Sequence, residues 1–317
     1  MASVMATGPV AVTGATGFVG RALISALAAE GRRVRAMVRS PERAWSLPHG
    51  VDPVRGSLDD GASLAALVDG ASAVVHAAGI VAARRDSEFD RVNAGGTAAL
   101  VAAASRADPP PRILLISSLA ARRPELSAYA ASKRAGEAAV AASSLGHCIV
   151  RPPAVYGPGD RATLPLFRQL SRGLLLAPRV ENGRFSLLYV EDLARLVRAL
   201  LDQPGWAGQI LEPDDGRPGG YAWSDLAAIA EQALGRTVRC LQVPRPGVWC
   251  AALAHELGGA LAGKAPMLSR GKIAELCYPD WVCTRESMRA IAGWAPAVDF
   301  ASGFAATLAW YRDRRWI

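Results

Sequence analysis

Tyr129 and Lys133 stand four residues apart. On a helix this spacing puts a phenol and an ammonium on one face. A phenol is a poor base near neutral pH, with an unperturbed pKa of about 10. A cation alongside favours the phenolate. Lowering the pKa by about 3 takes roughly 4 kcal/mol of differential stabilisation. Tyr-x-x-x-Lys occurs by chance in many helices, so its surroundings decide its meaning. Upstream lies the pair Ser117-Ser118. A serine hydroxyl there would bond a substrate oxygen while Tyr129 gives or takes the proton. Capping a strand end is the plainer role for both serines.

A second group of residues suits an anionic ligand. The apolar run Val10–Thr13 leads into Gly14-Ala15-Thr16-Gly17-Phe18-Val19-Gly20, and a helical stretch follows. Gly14 permits a tight turn, Gly17 lets the backbone approach a pyrophosphate, and Gly20 allows close helix packing. The helix start offers unpaired N–H groups and a positive dipole end. A strand before and a helix after are what the dinucleotide motif requires. NAD binding usually uses an acidic residue at the end of the second strand. That place falls at Val38-Arg39-Ser40, which has no carboxylate. Arg39, helped by Ser40 and Arg43, would meet the 2′-phosphate of NADP. NADP(H) is therefore the expected cofactor, with NAD(H) as the alternative. An oxidised nicotinamide ring would join Lys133 in favouring the phenolate.

These residues need a scaffold. Val10–Thr13, Val34–Val38, Val51–Arg55, Ala73–His76, Arg112–Ile116 and Cys148–Val150 are expected strands. Val19–Glu30, Ser63–Val68, Ala94–Arg106 and Ser132–Ser143 are expected helices. Continuous apolar strands between helices predict an α/β fold, a doubly wound parallel sheet of Rossmann type. The glycine loop, Arg39, Ser57-Leu58, Ala77-Ala78-Gly79, Ser117-Ser118 and Pro152 to Val155 all follow strands. Six strand ends thus converge on one crevice. Past Val150 prolines and glycines multiply, and a smaller domain is expected. Residues 1–155 form the dinucleotide domain, with 186–212 returning to it through helix Val190–Leu201 and strand Gln209–Leu211. Residues 156–185 and 213–317 mainly form the substrate domain.

Composition excludes several classes. The net charge is +8 over 317 residues, but the arginines are scattered, with no alternating aromatic platform for nucleic acid. The clusters at Arg32–Arg39 and Arg312–Arg315 have a solvated face as their plainest reading. No signal peptide and no membrane span is expected. The nearest candidate, Val248–Leu261, is broken by His255 and Glu256 and is expected as a buried helix. Five cysteines without close pairing fit reduced thiols and a cytoplasmic compartment. Four scattered histidines give no metal site.

Taken together, the motifs resemble the extended, two-domain branch of the short-chain dehydrogenase/reductase superfamily, the NAD-dependent epimerase/dehydratase-like proteins. The likeness rests on Thr13–Gly20, Val75–Gly79, Val92–Thr97, Ser117-Ser118, Tyr129–Lys133, Arg151–Asp160 and Tyr189–Ala194. Gly293-Trp294-Ala295-Pro296 with Trp310-Tyr311-Arg312 resembles the branch's final segment. The resemblance implies that Tyr129 is the acid/base. Lys133 is its activator and a ribose ligand, and Ser118 polarises the substrate. Gly14, Thr16, Gly17, Phe18 and Val19 would lie against the pyrophosphate. Ala77, Ala78 and Gly79 would line the adenosine side, and Pro152 and Val155 the nicotinamide. Ser57, before Leu58, replaces an aspartate that often bonds adenine. The separation of Ser118 and Tyr129 is short, which leaves little insertion over the site.

The implied function is interconversion of a carbonyl and a secondary alcohol on a small organic substrate. A nucleotide-sugar epimerase or dehydratase retaining NAD is the alternative, and a non-catalytic NADPH-binding subunit is the third reading. Val81, Tyr156, Phe185 and the segment from Tyr221 are expected to line the substrate pocket. Family members are often homodimers, through the helices near Ala94–Arg106 and Tyr129–Ser143.

Overall fold

A computed structural model of the chain describes residues 8–44, 47–203, 206–249, 269–284, 291 and 294–317. Within the expected helix Val248–Leu261, the part from residue 250 on lies outside the described residues, as do Cys250, His255, Gly293 and residues 1–7.

Seven strands form one wholly parallel sheet. They are β1 (Val10–Thr13), β2 (Val34–Val38), β3 (Val51–Arg55), β4 (Ala73–His76), β5 (Arg112–Ile116), β6 (His147–Val150) and a last strand, Ala207–Leu211, beside β6. The order runs β3-β2-β1-β4-β5-β6 before that final strand. Every residue of β1 and β4 is buried, as expected for strands covered on both faces. The order reverses between β1 and β4, which opens a crevice at their carboxyl ends.

Helices cover both faces. On one, Leu23, Ile24 and Leu27 of α1 (Phe18–Ala29) share a core with Leu193, Val197 and Leu200 of helix Val190–Asp202. On the other, Leu64 and Leu67 pack with Leu100 and Val140, from helices Gly61–Val68, Gly96–Ser105 and Ala128–Ala141. The apolar residues recur at helical spacing, so each helix buries one stripe. The helix bearing Tyr129 begins at Ala128, four residues before the expected Ser132. The cause is local: Ser127 caps it, its hydroxyl accepting from the Ala130 N–H at 2.9 Å.

A separate aromatic core holds the rest together. Tyr156, Phe167, Tyr189, Tyr221, Phe300, Phe304 and Tyr311 are all buried in it. Phe167 stacks on Phe304 with ring centroids 5.3 Å apart. The C-terminal segment is pinned to the sheet layer by Asp192, a fully buried carboxylate. Its Oδ2 accepts from the N–H groups of Ala297 and Val298 at 3.1 and 3.0 Å. The indole of Trp294 donates to the Asp192 carbonyl at 3.1 Å. The family-like block at 189–194 and the segment 294–298 are thus two halves of one clasp.

Among the arginines flagged by the sequence, Arg35 donates to the carbonyls of Ala66, Leu67 and Asp69 and ends helix Gly61–Val68. Arg32 pairs with Glu30 and Asp202.

Beside the crevice lies a buried ion pair. Arg151 donates from Nε and Nη2 to the two oxygens of Glu137, at 2.8 and 2.6 Å. Removing one partner leaves an uncompensated charge, at a cost of about 3–5 kcal/mol. Arg151→Met is expected to lower unfolding free energy by that amount in urea denaturation. The double variant Glu137→Gln/Arg151→Met is expected to lose clearly less than the sum of the two single changes.

Candidate active site

The crevice begins where β1 ends. Gly14 turns the chain with φ +72°. A Cβ on it would lie 2.6 Å from the backbone of Ala77 and Ala78. A Cβ on Gly20 would run into the Gly14 carbonyl oxygen. Gly17 donates its N–H to that same carbonyl at 2.9 Å. Helix α1 starts without a side-chain cap and without an acidic residue in its first turn. Bare N–H groups and a positive helix end therefore face a cradle that any larger residue would fill. This fits the pyrophosphate of a dinucleotide. Thr16, Phe18 and Val19 complete this loop and the first turn of α1.

The other anticipated ligand-contacting residues also lie past strand ends. Arg39 is exposed one residue beyond β2. The neighbouring Ser40 hydrogen-bonds Glu42 and holds that carboxyl below its ordinary range. Ser57 follows β3 and donates its N–H to the Ser63 hydroxyl at 3.3 Å. Leu58 fills the space over Gly96, where a Cβ would be 2.6 Å from its side chain. Ala77, Ala78 and Gly79 follow β4. Pro152 accepts from the Leu119 N–H at 2.8 Å, and Val155 packs against the sheet-side core.

Ser118, Tyr129 and Lys133 come together at the ends of β5 and helix Ala128–Ala141. Ser118 starts a short 3₁₀ turn, Leu119–Arg122, and its hydroxyl accepts from the Ala120 N–H at 3.2 Å. It also sits beside the Tyr129 hydroxyl and favours the phenolate. Phe89 meets the Tyr129 ring edge-on at 5.8 Å. Burial pushes the phenol above its ordinary pKa, while the Ser118 hydroxyl and the charge of Lys272 pull it down and Glu275 pushes it up. Without the nicotinamide ring expected to join Lys133 in lowering the phenol, desolvation wins. Lys133 is buried and donates to the Ile116 carbonyl at 2.8 Å. Burial pulls its ammonium down to about 8, and Glu137 opposes this.

Residues outside the Ser–Tyr–Lys set support it. Asn93 lies in a π-helical turn, Asp90–Gly95, a geometry that often marks functional sites. Its amide accepts from the Ile80 N–H at 2.8 Å and donates to the Ile80 carbonyl at 3.1 Å and the Ser132 hydroxyl at 3.0 Å. His76 lies between two threonines, Nδ1 at 2.6 Å from Thr13 Oγ1 and Nε2 at 2.9 Å from Thr97 Oγ1. Thr97 donates to the Asn93 carbonyl at 2.6 Å, and Thr13 accepts from the Ala78 N–H at 3.2 Å. These ends impose one proton order, with His76 carrying its hydrogen on Nε2. Burial, and then Lys133, keep this imidazole neutral, with its pKa at about 3.

Lys272 and Glu275 were invisible from spacing, since they lie far from Tyr129 along the chain. They reach the site on helix Arg270–Leu276. Glu275 accepts from the Ser127 hydroxyl at 2.6 Å and from Lys272 at 2.9 Å. A Cβ on Gly271 would be 2.8 Å from that of Ser127. The helix therefore seats directly on the cap of the Tyr129 helix.

The anticipated pocket lining needs correction at Tyr156 and Tyr221. Tyr156 and Tyr221 are buried in the aromatic core, with hydroxyls committed to the Asp299 carbonyl at 3.3 Å and Asp215 at 2.5 Å. Phe185 packs on Trp223 at 4.7 Å. Val81 is exposed. Apolar aromatic residues in a turn-rich region signal core as readily as pocket. Among the described residues no cluster of His, Cys, Asp or Glu could hold a metal, and no helix is long and apolar enough to cross a membrane.

The lowered pKa of Lys133 carries a stability signature. Between about 8 and its ordinary 10.5, the unfolded chain holds a proton there that the folded chain has released. Stability linked to this group therefore rises with pH across that window. The unfolding free energy of the wild type minus that of Lys133→Met is expected to increase as pH is raised through it. Urea denaturation of the ligand-free protein at several pH values measures this.

Comparison with known proteins agrees with the geometry. Residues 10–211 match the NAD dependent epimerase/dehydratase family. The chain is 39% identical to a ceramide reductase of Caulobacter vibrioides, over 98% of this chain and 97% of that protein. It is 26% identical to a 2-alkyl-3-oxoalkanoate reductase of Stenotrophomonas maltophilia, over 92% of this chain and 96% of that protein. Its fold is similar to that of the Bordetella bronchiseptica enzyme WbmG in complex with NAD and UDP. There the TM-score is 0.73 at 19% identity, covering 97% of this chain and 96% of the other. With the parallel sheet, the glycine cradle and the clustered Ser118, Tyr129 and Lys133, this protein belongs to the NAD dependent epimerase/dehydratase family, in the extended short-chain dehydrogenase/reductase branch, and is an oxidoreductase of the NAD(P)-dependent type.

Proposed function

We propose that the protein is an NADPH-dependent ketoreductase that reduces a ketone on a long-chain, ceramide-like lipid to a secondary alcohol. The observation that carries the chemistry is the Tyr129 hydroxyl, half-buried beside Ser118 and desolvated so that it retains its proton. The substrate class rests on the ceramide reductase matched over nearly the whole chain. Arg39, exposed past β2 with no carboxylate at residues 38–40, favours the 2′-phosphate of NADP. The division into a dinucleotide lobe, residues 1–155 with 186–212, and a substrate lobe from the remainder is part of the same reading.

The glycine loop and the start of α1 would hold the pyrophosphate, and Lys133 the adjoining ribose. When bound, the reduced dinucleotide supplies a hydride. Ser118 orients the substrate carbonyl by a hydrogen bond to its oxygen. Tyr129 gives that oxygen its proton as the carbon gains the hydride, so C=O becomes CH–OH. The ammonium of Lys133 stabilises the phenolate left behind, and a solvent proton restores the phenol. A phenol kept protonated by burial suits this direction, because it must begin as an acid.

Lys272 acts on the same phenol from the opposite lobe. It is a positioning residue, held by Glu275, and its charge lowers the cost of the phenolate.

Tyr129→Phe is expected to lower NADPH-dependent ketone reduction by about 10²- to 10⁴-fold, with NADPH affinity little changed by calorimetry. Interconversion of nucleotide sugars without net cofactor oxidation would instead replace the ketoreductase reading with an epimerase. For Lys272→Met, the basic inflection of the reverse alcohol oxidation should move up by about one pH unit, while Lys272→Arg keeps it in place. An unmoved inflection in Lys272→Met removes that residue from the mechanism.

A further inference from the structure

Away from the crevice, two strands present a face that is exposed among the described residues. Leu174–Pro178 and Arg239–Val243 form a separate two-stranded parallel sheet, with Leu176 opposite Leu241. Side chains alternate along the first strand. Leu175 and Ala177 are buried in the aromatic core, whereas Leu176 is 50% exposed. Leu241, its register partner, is 51% exposed on the same side. Just past the second strand, Trp249 is 42% exposed. Two large apolar side chains paired in water differ from the singly scattered ones that need no explanation.

The charge beside this face is mainly basic, with Glu181 as the acidic neighbour of Arg179. Two residues before Leu174 begins a cavity of about 400 Å³, lined by Arg168, Ser171, Arg172, Arg312, Trp316 and Ile317. Three guanidiniums thus surround it without an acidic side chain in the lining. Arg179 and Arg245 lie past the other ends of the two strands and are exposed. Asp313 is near the cavity in sequence but pairs with Arg314. An exposed apolar stripe flanked by arginines complements a bilayer with anionic headgroups. Apolar side chains enter the interface while each basic residue adds Coulombic attraction. A planar guanidinium also suits the phosphate oxygens of a headgroup.

We propose that the Leu176–Leu241 face, with the adjoining Arg168–Arg172–Arg312 cavity, docks this protein on an anionic phospholipid membrane. The cavity takes the phosphate-bearing headgroup, and the leucines and Trp249 reach into the acyl boundary. The face also connects to the catalytic side. Val180 and Val248, just beyond the two strands, pack on Ile273 and Cys277 of helix Arg270–Leu276. That is the helix seated on Ser127, two residues from Tyr129. Docking would bring the substrate-facing helix to the bilayer, and this last connection rests on the proposed lipid substrate.

Flotation of the full chain with vesicles tests the docking without any substrate. Vesicles of phosphatidylglycerol and phosphatidylcholine should carry the protein, and phosphatidylcholine alone should carry much less. Raised salt should weaken the binding. Arg172→Glu/Arg312→Glu should weaken it by about fivefold or more per arginine, and Leu176→Asp/Leu241→Asp by about tenfold or more. Inorganic phosphate should compete only weakly, since the apolar contact needs a bilayer. All four side chains are exposed or line an open cavity, so both variants should fold, as melting by circular dichroism will show. If one pair fails to fold, the other decides. The proposal is overturned if anionic vesicles do not carry the wild type, or if neither pair weakens binding. It is also overturned if the wild type is a dimer that Leu176→Asp/Leu241→Asp splits, because a second copy then covers the face. Reduction of a water-soluble ketone should be unchanged in both variants. Vesicle binding that follows this pattern in a protein reducing no ketone leaves the docking intact and removes the proposed activity.

Discussion

The carboxylate of Glu137 ties the catalytic helix to the sheet, and the rest of the site depends on it. It lies four residues beyond Lys133, one turn along the helix. Arg151 at the end of β6 grips both of its oxygens, and Ser117 at the end of β5 donates to one of them at 2.6 Å. The carboxyl ends of two strands are thereby locked to the body of the catalytic helix. Arg151 also faces Glu212 at 3.6 Å, just past the sheet's final strand. Glu212 accepts from the Thr284 hydroxyl at 2.6 Å. The buried charges form a chain from the sheet to the C-terminal segments. Replacing such a network by apolar residues can leave stability unharmed, so its value here lies in geometry. Serine, phenol and ammonium converge because their elements cannot slide.

The hydroxyls beneath the site have a similar role. Asn93 links the loop after β4 to Ser132, and the Thr13–His76–Thr97 chain links β1 and β4 to the π turn. Each donor has one acceptor, so the arrangement has a single proton order. A buried imidazole that stays neutral can serve such a chain. A charged one would place a second cation beside Lys133, in a region whose desolvation already drives the lysine toward neutrality.

The outer residues are organised by a different force. Aromatic burial, not polar locking, assembles the region around Phe167, Phe300 and Phe304. One strand pair in this region turns an apolar face outward. Contact with the site is made through the short helix Arg270–Leu276 and the residues after it, with Arg122 donating to the Val282 carbonyl at 2.7 Å.

The sequence by itself determined the sheet and the cofactor cradle. Apolar strand runs, helical stripes and glycine spacing are local patterns, and local patterns follow from backbone geometry. Most strand bounds, the loop at Gly14–Gly20 and the placing of Tyr129 and Lys133 on one helix could all be read this way. Boundaries slipped where a side chain overrode propensity, as Ser127 did in starting its helix early. The tertiary structure alone decided the balance of charge at Tyr129. Desolvation raises the phenol, and the cation from Lys272 arrives from more than a hundred residues away. It also decided that Tyr156 and Tyr221 belong to a core and that Leu176 and Leu241 meet in water. Burial and long-range electrostatics depend on what folds against a residue, and no spacing along the chain records that.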